Sequence, residues 1–86
     1  MCKELKEIAD ILRTEDYRIY QAEEKKIVIR CNKYGTCFKL LFKTPEDGWE
    51  ANTYVLMSSD EFQYFQTTHK GEVLNIIHFV YHCRCN

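Results

Sequence analysis

A chain of 86 residues has the size of one domain, 1–86, with a core just large enough to fold alone. Its 45% hydrophobic and 29% charged residues exclude disordered and fibrous classes, and a net charge of -1 gives bulk electrostatics no preferred partner. No apolar run approaches the roughly 18 residues of a membrane span. The opening MCKELKEIADIL sets charges among its apolar positions, unlike a signal peptide. A cytoplasmic protein without membrane contact is expected, its five cysteines reduced and, being odd in number, no complete disulfide framework.

Residues 2–14 read as an amphipathic helix. Leu5, Ile8, Ala9 and Leu12 follow the i, i+3, i+4, i+7 spacing, and Ile11 widens the stripe. Thr14-Glu15-Asp16 breaks the pattern, and Tyr17 to Gln21 reads as a short strand turning at Ala22-Glu23-Glu24. Two β-rich runs follow, Ile27 to Cys31 and Thr36 to Phe42. Between them Asn32-Lys33-Tyr34-Gly35 offers the positive φ a hairpin loop needs. Phe38, Leu40 and Phe42 alternate with Cys37, Lys39 and Lys43, which predicts a strand with one buried face. Thr44-Pro45-Glu46-Asp47-Gly48 is a turn, and Trp49 to Met57 alternates as a further strand.

Ser58 and Glu61 stand at capping-box spacing, which predicts a helix beginning there and interrupted by Gly71. From Glu72 to Cys83 a helix is favoured, because Glu72, Asn75, His78 and His82 fall on one stripe at 3.6 spacing; the Val, Ile, Phe and Tyr content suits a strand equally. The predicted fold class is α+β: a three- or four-stranded antiparallel sheet with an N-terminal helix and one or two C-terminal helices.

Charge is segregated along the chain. Residues 25–45 hold six basic groups (Lys25, Lys26, Arg30, Lys33, Lys39 and Lys43) and no acidic one, while acids outnumber bases on both sides of that block. Such a block attracts phosphate or an acidic protein face, and Tyr34 at the loop tip is placed to stack on a base. The bland alternative is that strand lysines blunt edge pairing and keep the sheet soluble. These residues with Tyr34 form the candidate partner-binding site. Trp49, Tyr54 and Tyr64 are further aromatic candidates, with core packing the competing role for Trp49.

Cys31, Cys37, His78 and His82 form an alternative zinc set, His78 and His82 being one helical turn apart. The cysteine pair is too widely spaced for a finger, and buried cysteine with a wet histidine stripe explains the same residues without metal. No cofactor is expected. Paired carboxylates fall at element ends, and the glycines Gly35, Gly48 and Gly71 form no phosphate loop, so an enzyme is not expected.

The amphipathic Leu5 to Leu12, Asp16-Tyr17 after it, and Ile29-Arg30-Cys31-Asn32 with Gly35 and Phe38 cover about half the chain. In this order the chain resembles the small α+β anti-CRISPR proteins that phages of Gram-positive bacteria carry against type II Cas9. The resemblance implies a stoichiometric inhibitor that docks on a large nucleoprotein and blocks its DNA site. The chain departs from the acidic members in its basic hairpin, so any DNA mimicry would come from acidic residues elsewhere. The expected function is a non-enzymatic interaction protein that inhibits or modulates a larger protein or nucleoprotein. Direct nucleic-acid binding through residues 25–43 is the alternative, and a zinc-stabilised domain the third.

Overall fold

A computed structural model describes residues 1–31, 37–60 and 62–85, the side chains of 31 and 81–85 excepted. Helix α1 (Lys3–Arg13) leads into strands β1 (Tyr17–Ala22), β2 (Lys26–Cys31), β3 (Cys37–Lys43), β4 (Thr53–Ser58) and β5 (Gln63–Thr67), and helix α2 (Lys70–Cys85) follows. The five strands form one antiparallel sheet in the order β1-β2-β3-β4-β5, with β3 at its centre. Five strands replace the predicted three or four, and one helix follows the sheet.

Both helices contribute to a single core against one side of the sheet. Leu5, Ile8, Ala9 and Leu12 of α1 and Val73, Ile77 and Val80 of α2 are buried together with Tyr17, Ile27, Ile29, Phe38, Leu40, Phe42, Tyr54 and Leu56. The predicted α1 stripe is the buried one, except that Ile11 at its margin is exposed. On the wet side of α1, Asp10 pairs with Lys6 at 3.2 Å and with Arg13 at 3.1 Å. Such exposed i,i+4 and i,i+3 pairs add only a few tenths of a kcal/mol.

The turn after β3 forms as its residues require. Pro45–Asp47 make a short 3-10 turn, the Asp47 carboxylate accepts the Thr44 backbone N–H at 2.9 Å, and Gly48 ends the turn at φ 87°. Strand β4 starts only at Thr53, four residues after Trp49, because bends at Glu50 and Ala51 follow that glycine.

The helix predicted from Ser58 is not formed. The Ser58 hydroxyl does accept a downstream N–H, that of Phe62 at 2.9 Å, but Ser58 N–H also donates to Phe62 O at 2.8 Å, closing a β-hairpin. Glu61 lies outside the described residues. Phe62 onward is rich in aromatics and threonine, which suit a strand. Gly71 therefore interrupts nothing: it stands in the first turn of α2, with open space where a Cβ would go.

The helix favoured over 72–83 is present within α2. Its His78 is half-buried and joins elements far apart in sequence. Tyr17 Oη and Nδ1 share a hydrogen bond at 2.9 Å, and Nε2 lies 2.9 Å from Glu15 Oε2, fixing α2 against the start of β1. Lys70 pairs with Glu7 and ties the other end of α2 to α1.

Two stability changes are expected. Tyr17→Phe removes the hydroxyl from His78 and should lower the unfolding free energy by about 1 kcal/mol. Gly71→Ala, which meets no steric obstacle, should raise it by about 0.5–1 kcal/mol. Urea denaturation midpoints read both.

Candidate partner-binding face

The strands YRIYQA, KIVIRC, CFKLLFK, TYVLMS and QYFQT contain no Asp or Glu. Their cations are Arg18, Lys26, Arg30, Lys39 and Lys43. Register sets all of them on one side. Arg18 stands opposite Arg30, Arg30 opposite Cys37, and Lys26 opposite Leu41, which faces the same side of β3 as Lys39 and Lys43. The other side of β3 carries Phe38, Leu40 and Phe42 into the helical core. The cations therefore occupy the side that neither helix covers.

Between them lies an aliphatic floor. One row across the sheet reads Val28, Lys39, Met57, and the next reads Lys26, Leu41, Val55, Gln66. Val55 is only 3% exposed although it lies outside the helical core. Lys39, Lys43, Leu41 and Met57 around it are half-buried.

Two features argue against a purely structural role for these charges. Edge protection calls for lysine on outer strands, whereas Lys39 and Lys43 are on the central one. Arg18 directly opposite Arg30 sets like charge against like, which destabilises a strand pair by a few tenths of a kcal/mol. Among the described residues, Arg18, Arg30 and Lys43 make no ion pair.

The predicted cluster is divided by the fold. Arg30, Lys39 and Lys43 share the open face. Lys26 shares it too but pairs with Glu23 at 2.9 Å. Lys25 lies off the face, its ammonium bonded to Thr44 Oγ1 at 3.0 Å and Asp47 Oδ2 at 2.9 Å, which raises its pKa. Lys33 and Tyr34 lie outside the described residues. Arg18 joins the face and was missed because it falls in an acidic stretch of sequence. Its alternation with Tyr17 and Ile19 in the expected strand was the signal that would have found it.

The aromatic candidates fare differently. Tyr54 is a core residue, 6% exposed and packed against Phe42 with ring centroids 5.0 Å apart, because it alternates in phase with Leu56. Tyr64 is half-buried, edge-on to Phe38 and Phe62, both at 5.8 Å. Trp49 is half-buried beside a groove lined also by Glu50, Ala51, Thr53 and Gln66. Among the described residues, the exposed aromatics are Tyr20, Phe62, Phe65 and Phe79.

The sheet also divides the alternative metal set. Cys37 belongs to the open face, whereas His78 lies on the helix side with both ring nitrogens engaged. The side chains of Cys31 and His82 are outside the described residues, and among the described ones no group of three or more His, Cys, Asp or Glu side chains is placed to hold a metal. His69 is exposed just before α2. No described helix is long and apolar enough to cross a membrane.

Comparisons with known proteins return no match to a family model, a curated protein or a solved structure.

Lys25 and the Thr44 N–H and hydroxyl together hold the Asp47 carboxyl down at about 2. Because the folded value lies below the ordinary one of about 3.9, the added stability is complete above pH 4 and is lost as pH falls toward 2. Asp47→Asn should flatten the pH dependence of the denaturation midpoint in that window. Unchanged pH dependence would mean that the Lys25–Asp47 pair is broken in solution.

Proposed function

We propose that this chain is a non-enzymatic interaction protein that applies the open face of its sheet to an acidic surface of a larger protein or nucleoprotein, and inhibits or modulates it. The observation that carries this reading is the gathering of Arg18, Arg30, Lys39 and Lys43 on an uncovered face whose strands hold no carboxylate. The aliphatic floor of Val28, Leu41 and Met57 suits a protein surface, where a desolvated centre with a charged rim supplies affinity and orientation. Acidic groups sit in α1, the turns and α2, so the molecule would approach such a partner sheet first. The resemblance to anti-CRISPR proteins makes a type II Cas9 effector the first partner to test.

A second reading, direct nucleic-acid binding, is favoured by the adjacent Arg18 and Arg30, whose guanidinium groups match phosphate geometry. Salt separates the two. Contact with about four phosphates would reduce affinity roughly a hundredfold between 50 and 200 mM salt, whereas a protein interface with a buried apolar centre weakens far less.

Immobilised protein should retain a purified type II effector after nuclease treatment. Arg30→Glu with Lys43→Glu, both exchanged at the surface, should reduce retention at least tenfold. Retention that disappears with nuclease supports the second reading. Binding unaffected by the two substitutions would sink both.

A further inference from the structure

We propose that Arg18 and Arg30 form one subsite of the open face, which holds a phosphate monoester carried on a side chain of the partner protein. The proposal deepens the partner-binding reading and rests on it: it names the acidic group that this end of the face receives.

The two arginines are the only ones in the described strands, and the sheet sets them directly opposite each other on β1 and β2. The lysines of the face are distributed otherwise. Lys26 stands opposite Leu41, Lys39 between Val28 and Met57, and Lys43 opposite Thr53. Only the arginines set cation against cation, with Cβ atoms about 5 Å apart as in any directly opposed pair. Lysine at these positions would supply the same charge, whereas arginine adds a planar fork of donors.

Nothing described neutralises the pair. Both side chains are exposed, and among the described residues neither guanidinium makes a hydrogen bond or an ion pair. Asp16, in the turn before β1, is the carboxylate nearest to Arg18 in sequence, and among the described residues it pairs with no cation. Residues 32–36, which follow β2 in the chain, include no Asp or Glu.

Two forks meeting at one place define the ligand. A phosphate monoester offers three terminal oxygens and close to two negative charges, enough to accept both guanidinium groups at once. A single carboxylate carries one charge and matches one fork, and a phosphodiester has one charge and two free oxygens. Two carboxylates held as close together as the arginines would repel each other on the partner before binding. The next row of the open face, Gln21, Val28, Lys39 and Met57, places apolar surface beside the pair, which suits the peptide around a phosphorylated side chain. Clustered arginines are a recurrent means of reading such a group.

Arginine Nε–H NMR signals, followed during titration at constant ionic strength, test this. The probes are N-acetyl-phosphoserine amide for the monoester, dimethyl phosphate for the diester and malonate for paired carboxylates. The monoester should shift the Arg18 and Arg30 signals with a dissociation constant at least fivefold below that of either other probe. Arg18→Lys and Arg30→Lys keep the charge but remove a fork, and each should weaken the monoester at least fivefold, while Lys43→Gln should leave its affinity within twofold. Dimethyl phosphate bound as tightly as the monoester would overturn the proposal in favour of nucleic acid. Equal affinity for malonate, no shift at either arginine, or full affinity with both lysine substitutions would overturn it outright. The broader reading is decided separately, by retention of the effector with Arg30→Glu and Lys43→Glu.

Discussion

A five-stranded sheet with both helices on one side must leave its other side facing water, and this one-sidedness governs where each kind of residue can go. On the covered side Phe38, Leu40 and Phe42 interlock with Leu5, Ile8 and Ile77. On the uncovered side the central strands still carry Leu41, Val55 and Met57, whose apolar surface needs shielding. Long cationic side chains meet both demands, since their stems cover carbon and their heads stay hydrated. Acidic side chains are shorter and shield less, and among the described residues they are confined to helices, turns and loops. The resulting separation of charge follows from layer architecture as much as from any partner.

Packing against that layer is secured at both ends of α2. Lys70 reaches Glu7 near its start, and His78 bridges Tyr17 and Glu15 further along. The Glu–His–Tyr line has the order of a proton relay, yet its phenol is buried in the core and ends in hydrophobic packing. Its physical effect is to fix the rotation of a helix whose sides are nearly all apolar. A helix so patterned has little amphipathic preference of its own and needs such directional contacts to choose a face.

Much of this architecture was legible in the residues. The α1 stripe, the β2–β3 alternation, the Pro45–Gly48 turn and the polar stripe of α2 each rest on a regular period or a strong punctuation signal. What escaped was the irregular part. Ser58 offers its hydroxyl to a later N–H in a hairpin much as it would at a helix start, so its spacing with Glu61 did not distinguish the two. The β5 bulge also erased the alternation that would have marked a strand, since Tyr64 and Phe65 point the same way. For the candidate partner-binding face, Lys39 and Lys43 were legible from alternation. The withdrawal of Lys25 by Asp47 and the recruitment of Arg18 depend on which strands lie side by side, which composition does not encode.

Every strand lies next to its neighbour in sequence. Adjacent segments meet after short loop closures, so the sheet is able to zip hairpin by hairpin within microseconds to milliseconds. The link between Tyr17 and His78, 61 positions apart, belongs to a later event, the docking of α2. During synthesis the completed meander would therefore stand for a time with Leu40, Leu56 and Phe65 uncovered, awaiting the 16-residue helix that follows it. That interval, more than any weakness of the finished fold, is when the nascent chain is most exposed to misassociation.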